Sequence, residues 1–85
     1  MDKYKVAIVD DDEVALENLS FELGKDARFS LKGTARNGKQ GKKLIAKVQP
    51  DLLFLDVEMP DMTGMELLQE IRDSVSWNMR IVFYT

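Results

Sequence analysis

The chain contains no cysteine and no histidine in 85 residues. The first absence excludes a disulfide framework and any thiolate metal site. The second removes imidazole acid–base catalysis and most zinc chemistry, so a metal here would be held by oxygen, as Mg²⁺, Ca²⁺ or Mn²⁺ are. No apolar run is long enough to span a bilayer. The N-terminus, Met1-Asp2-Lys3-Tyr4-Lys5, leads into a short strand rather than a signal peptide. These absences set the cytoplasm as the default compartment and exclude a membrane partner. Repeats and low-complexity tracts are also missing. Hydrophobic residues make up 45% and the net charge is -3. The chain therefore reads as one soluble globular unit, and its charge argues against the whole of it binding nucleic acid.

Two short apolar runs each end in an aspartate. Val6-Ala7-Ile8-Val9 runs into Asp10-Asp11-Asp12-Glu13, and Leu52-Leu53-Phe54-Leu55 runs into Asp56, followed by Val57-Glu58-Met59-Pro60 and Gly64. Such runs, bounded by turn signals, read as buried parallel strands. Ligands of open α/β sheets sit beyond the carboxyl ends of the strands, so both runs deliver carboxylates to one edge. Carboxylates gathered there repel one another unless a cation sits among them. The chemistry expected is a divalent cation and one special aspartate.

The remaining pattern supplies the rest of a sheet. Strands are expected over 5–9, 29–35, after Pro50, and 80–85. Helices are expected over about 13–23, 39–48 and 64–72, with apolar stripes of Val14, Leu16, Leu19 and Leu23, then Leu44, Ile45 and Val48, then Met65, Leu67, Leu68 and Ile71. Asp11 or Asp12 is expected to cap the first helix, and Gly24 to end it in a left-handed turn. Gly41 weakens the second helix by about 1 kcal/mol relative to alanine. The alternation β-α-β-α-β-α-β requires a parallel sheet with right-handed crossovers. Between Ala27 and Pro50 stand seven basic residues and no acidic one, with Lys39, Lys43 and Lys47 at helical spacing. That stripe reads as a solvated face, or as a docking surface for an acidic partner or nucleic acid. Gly33 to Gln40 nearly spells a phosphate-binding loop, but Gln40 stands where Mg²⁺ needs a hydroxyl. Met59, Met62 and Met65 read as packing and loop residues, and Trp77 as a partly buried anchor before the last strand.

Val9-Asp10-Asp11, Asp56-Val57-Glu58-Met59-Pro60 with Gly64, and Thr85 at the end of the fourth strand, in that order and spacing, resemble the receiver domain of bacterial two-component response regulators. The resemblance covers the whole chain. It implies a flavodoxin-like, doubly wound α/β sheet in the strand order 2-1-3-4-5. It implies that Asp56 is the phosphoacceptor, taking a phosphoryl group from the phosphohistidine of a sensor histidine kinase. Mg²⁺ would be bound by Asp11, Asp56 and the backbone carbonyl of Glu58, with Asp10 acting through a water. The Thr85 hydroxyl would sense the phosphoryl group, and the Glu58 side chain would modulate how long it lasts. The chain is then a switch acting on an output domain, which in the parent protein is transcriptional and DNA-binding, rather than an enzyme.

The same resemblance makes residues 1–85 the N-terminal part of a single receiver domain. It lacks the last helix-strand-helix and the strand-five lysine that pairs with the phosphoryl group. Ile81-Val82-Phe83-Tyr84-Thr85 is similar to receivers coupled to LytTR-type DNA-binding domains. A fourth strand apolar on both faces is expected to pair with a second copy, as a homodimer or a swapped dimer. Two alternatives have their own marks. The missing lysine fits a pseudo-receiver that is never phosphorylated and serves as an interaction module. Asp10, Asp12 and Val14 after an apolar strand, with Thr85 ending a later one, are similar to haloacid-dehalogenase-type phosphohydrolases, with Asp10 as nucleophile and Asp12 as general acid. Asp56 and Gly64 have no role in that scheme.

Overall fold

Val6, Ala7, Ile8 and Val9 are fully buried, so both faces of the first strand are covered and it lies inside the sheet. A computed structural model, which describes residues 3–84, shows how. The elements are β1 (Tyr4–Val9), α1 (Glu13–Gly24), β2 (Phe29–Ala35), α2 (Gly38–Val48), β3 (Leu52–Asp56), α3 (Gly64–Ile71) and β4 (Arg80–Tyr84). The four strands are parallel and lie in the order β2-β1-β3-β4. Side chains alternate across the sheet. Ala7, Val9, Leu53 and Leu55 pack with Ile45 of α2 and with Leu67 and Ile71 of α3. Val6 and Ile8 pack on the opposite face with Leu16 and Leu23 of α1, flanked by Phe54 and Tyr84. Helices on both faces make the sheet doubly wound, as expected. None of the helices among the described residues is long and apolar enough to cross a membrane.

Each helix starts on a side-chain cap. Asp12 accepts the Val14 N–H at 3.0 Å, Asn37 accepts that of Gln40 at 2.8 Å, and Thr63 and Glu66 form a reciprocal capping box. Trp77 is anchored before β4 by its indole N–H, which donates to the Pro50 carbonyl at 2.7 Å. Val9 explains Gly41: a Cβ there would lie 2.9 Å from a Val9 methyl. The helix gives up propensity at this residue in order to approach β1.

Three expectations are corrected. Gly24 is not a left-handed cap. It is the last residue of α1, and Lys25 continues right-handed while its N–H bonds back to the Glu22 carbonyl and the Asp26 N–H to that of Leu23. Those bonds satisfy the terminal carbonyls without a reversal of φ. The left-handed residue is Gln49, after α2, at φ 51°. Val14 and Met65 are 63% and 56% exposed rather than core. Each is the second residue of its helix, and Met65 lines an open apolar groove with Leu68, Trp77 and Ile81. The expectation that places Thr85 at the end of β4 lies outside the described residues.

The two glycines of contrasting surroundings give a test by urea unfolding. Gly41→Ala should lose about 1 kcal/mol or more, because overpacking against Val9 outweighs the gain in helix propensity. Gly24→Ala, with nothing within 4 Å of the new methyl, should be neutral or gain up to about 1 kcal/mol.

Candidate functional site

The register of β1 and β3 pairs Val9 with Leu55, so Asp10 and Asp56 leave the carboxyl edge side by side. Both continue the alternation of Ile8 and Phe54, which face α1, and both therefore emerge on that face. Asp10 is 2% exposed, Asp56 is half-buried and Asp11 is exposed. One carboxylate oxygen from each of the three lies within 4.8 Å of the others.

Backbone donors fix two of them. Asp10 Oδ1 accepts the Asp12 N–H at 2.9 Å, and Asp56 Oδ1 lies 3.4 Å from the Glu58 N–H. Burial, reinforced by the Asp10 and Asp11 carboxylates, pushes the Asp56 carboxyl from 3.8 up to about 6, against the lowering effect of the Glu58 N–H. Charge is therefore uncompensated in this cluster. A hard cation held by oxygen fits it, and Mg²⁺ matches that donor set.

The loop after Asp56 is tied at several points. Glu58 bridges Thr63, and the Gly64 N–H donates to the Val57 carbonyl at 2.8 Å. A Cβ at Gly64 would stand 2.5 Å from the Asp56 carbonyl oxygen, so only glycine lets α3 begin this close to the aspartate. Asp61 reaches a different element. Its carboxylate accepts the N–H groups of Gly38 and Lys39 at 2.8 and 3.0 Å, and these bonds hold its pKa below the ordinary value. Sequence reasoning passed over Asp61. The one available signal was that the first turn of α2 has no acidic residue of its own.

Of the residues expected at the site, Asp10, Asp11 and Asp56 come together, and Glu58 stands two residues beyond in the adjoining loop. Thr85 is outside the described residues. On the basic segment, Lys42 pairs with Glu70 at 3.5 Å and Arg36 with Glu13 at 4.0 Å. Lys39, Lys43 and Lys47 are exposed along α2.

Comparison with known proteins agrees with this geometry. Residues 6–85 match the family described as the response regulator receiver domain. Over 71 residues the chain is 44% identical to a protein-glutamate methylesterase/protein-glutamine glutaminase of Geobacillus kaustophilus (strain HTA426), covering 84% of this chain and 20% of that protein. Over 69 residues it is 35% identical to the transcriptional regulatory protein YdfI of Bacillus subtilis (strain 168), covering 81% and 32%. The response regulator domain of Thermotoga maritima CheB superposes with a TM-score of 0.87 at 23% identity, over 96% of this chain and 60% of that one. At that identity the likeness is one of fold. The chain spans about a fifth to a third of the length of these curated relatives.

The raised Asp56 carboxyl makes stability depend on pH in a defined sense. Its folded value of about 6 lies above the ordinary 3.8. Its contribution is therefore fully present below the ordinary value and is lost as pH rises through about 6. In the presence of a chelator, Asp56→Asn should melt higher than the parent chain at pH 7–8, and the gap should close toward pH 4. A gap that is flat with pH, or that widens toward acid, would contradict the cluster's electrostatics.

Proposed function

Since the chain belongs to the response regulator receiver domain family, we propose that it accepts a phosphoryl group on Asp56 from the phosphohistidine of a sensor histidine kinase, and that the new charge switches an output. The observation that supports this best is the meeting of Asp10, Asp11 and Asp56 within 4.8 Å, with Asp56 at the end of a strand. In the transfer, an Asp56 carboxylate oxygen bonds to phosphorus as the nitrogen–phosphorus bond of the donor breaks. The imidazole leaves with the electron pair and takes up a proton. Asp11, Asp56 and the Glu58 carbonyl are the proposed direct ligands of Mg²⁺, with Asp10 acting through a water. Bound there, Mg²⁺ supplies positive charge to the oxygens of the transferring group. Asp10 is held in place by the Asp12 N–H. The loop that carries Glu58 is fixed by the Thr63 bridge and the Val57–Gly64 bond. The Thr85 hydroxyl is proposed to move onto the phosphoryl group and report it, and the Glu58 side chain to set its lifetime.

On this reading the chain is a substrate and switch, and any catalysis belongs to what it is attached to. The relatives carry both kinds of output, a methylesterase and a transcriptional regulator. We propose a DNA-binding output and a cytoplasmic setting. We also propose association with a second copy along β4, which lies at the sheet's edge and exposes Val82 and Phe83. Sedimentation at rising concentration should show a dimer, and a monomer that persists to the highest concentration removes this last point.

Intact mass tests the transfer. Incubation with Mg²⁺ and acetyl phosphate should add one phosphoryl group. The gain should vanish in Asp56→Ala and without the metal. Label retained in Asp56→Ala but lost in Asp10→Ala would instead favour the phosphohydrolase chemistry, with Asp10 as nucleophile.

A further inference from the structure

The hydroxyl of Tyr84 is shielded from solvent and has no hydrogen-bond partner among the described residues. Burying a hydroxyl in this way is costly unless the arrangement gives it something to bond. Its position says what that is. β4 pairs with β3 so that Tyr84 stands opposite Asp56, and Asp10 stands next to Asp56 on the far side. Asp10, Asp56 and Tyr84 thus form one row across three adjacent strand ends. Phe54 and Tyr84 lie on the α1 face with Ile8, and their rings meet edge-on at 6.4 Å. Asp10 and Asp56 emerge on that same face.

Neighbouring parallel strands are about 4.8 Å apart, so the α-carbons of Asp10 and Tyr84 are separated by about two such steps. A phenol is much longer than a carboxylate. Leaving the sheet beside Asp56, it extends past that residue and delivers its oxygen toward the next strand. A phenol is protonated at neutral pH and stands there as a donor, and of the carboxylates around it Asp10 acts on it most strongly, ahead of Asp56 and Asp12. Asp10 has room for it. Its carboxylate takes one protein donor among the described residues, the Asp12 N–H, on Oδ1.

We propose that Tyr84 is a positioning residue for the cation site, its hydroxyl, unbonded in this structure, moving to donate to the Asp10 carboxylate and holding that side chain in the orientation the site requires. The inference rests on the reading of Asp10 as a carboxylate of that site. It assigns a role in the site to a ring that otherwise reads as part of the apolar fourth strand. Partners outside the direct ligands orient the groups that hold a cation, directly or through water, and loss of such a partner commonly costs 10–100-fold in metal affinity.

The chain has two tyrosines, so a Tyr4→Phe background leaves Tyr84 as the sole reporter, and the exposed Tyr4 ring is remote from the acidic cluster. The first arm is free of metal. With ¹³C at the tyrosine ζ-carbon, the Tyr84 resonance should move when Asp10→Asn is introduced and should stay in place with Asp11→Asn. The second arm uses Mg²⁺ alone, titrated against the backbone amides of Asp11 and Asp56. Tyr84→Phe keeps the ring against Phe54 and should weaken Mg²⁺ about tenfold, with an unchanged melting temperature in chelator. A Tyr84 resonance blind to Asp10→Asn overturns the contact. Equal Mg²⁺ affinity in the parent and Tyr84→Phe overturns the positioning role while leaving the cation site intact. A parent chain that binds no Mg²⁺ overturns the cation-site reading, and this inference with it.

Discussion

Three carboxylates crowded at one edge of a parallel sheet repel one another, and the surrounding structure is organised to hold them there regardless. The strand that presents Asp10 is buried over four successive residues, so it cannot slide without tearing apolar contacts from both layers. A slip of one residue would also turn the acidic side chains to the opposite face. The register of β1 with β3 is therefore as much a functional constraint as a packing one. The hydrophobic core supplies the restraint, and the backbone N–H groups of Asp12 and Glu58 supply local compensation. The raised Asp56 carboxyl reflects its burial first and, after that, the part of the repulsion that remains.

Around that constraint the two helical layers divide the work. The layer of α2 and α3 anchors the loop that follows Asp56, through Gly64 at one end and Asp61 in the middle. The opposite layer, with α1, starts on Asp12 directly after the two leading aspartates. A single acidic run thus supplies a buried carboxylate, an exposed one and a helix cap in three consecutive residues. The dipole at the start of α1 also favours negative charge there.

Much of this was legible in the sequence because it is local. Apolar runs ending in aspartate marked β1, β3 and the edge they share, and the limits of β2 could be read from Phe29 and Ala35. What could not be read depends on register and on contacts between distant segments. Tyr84 reads as one more apolar strand residue until β4 is aligned with β3. Asp61 reads as a loop residue until α2 is placed 23 positions away in sequence. Gly41 reads as a flaw in a helix until Val9 is set against it. Val14 and Met65 satisfy the helical period but lie in exposed first turns, and periodicity does not know where a layer ends.

Asp61 carries a mechanical consequence. Through two hydrogen bonds its loop is tethered to the opening amides of α2, whose exposed face bears Lys39, Lys43 and Lys47. Any displacement of the loop that keeps those bonds carries the end of the helix with it, as a lever carries its load. A displacement that breaks them leaves two amide donors turned toward water and a carboxylate released beside a row of lysines. Either way, a movement of this loop reaches the position or the charge of a surface on a different strand-helix unit.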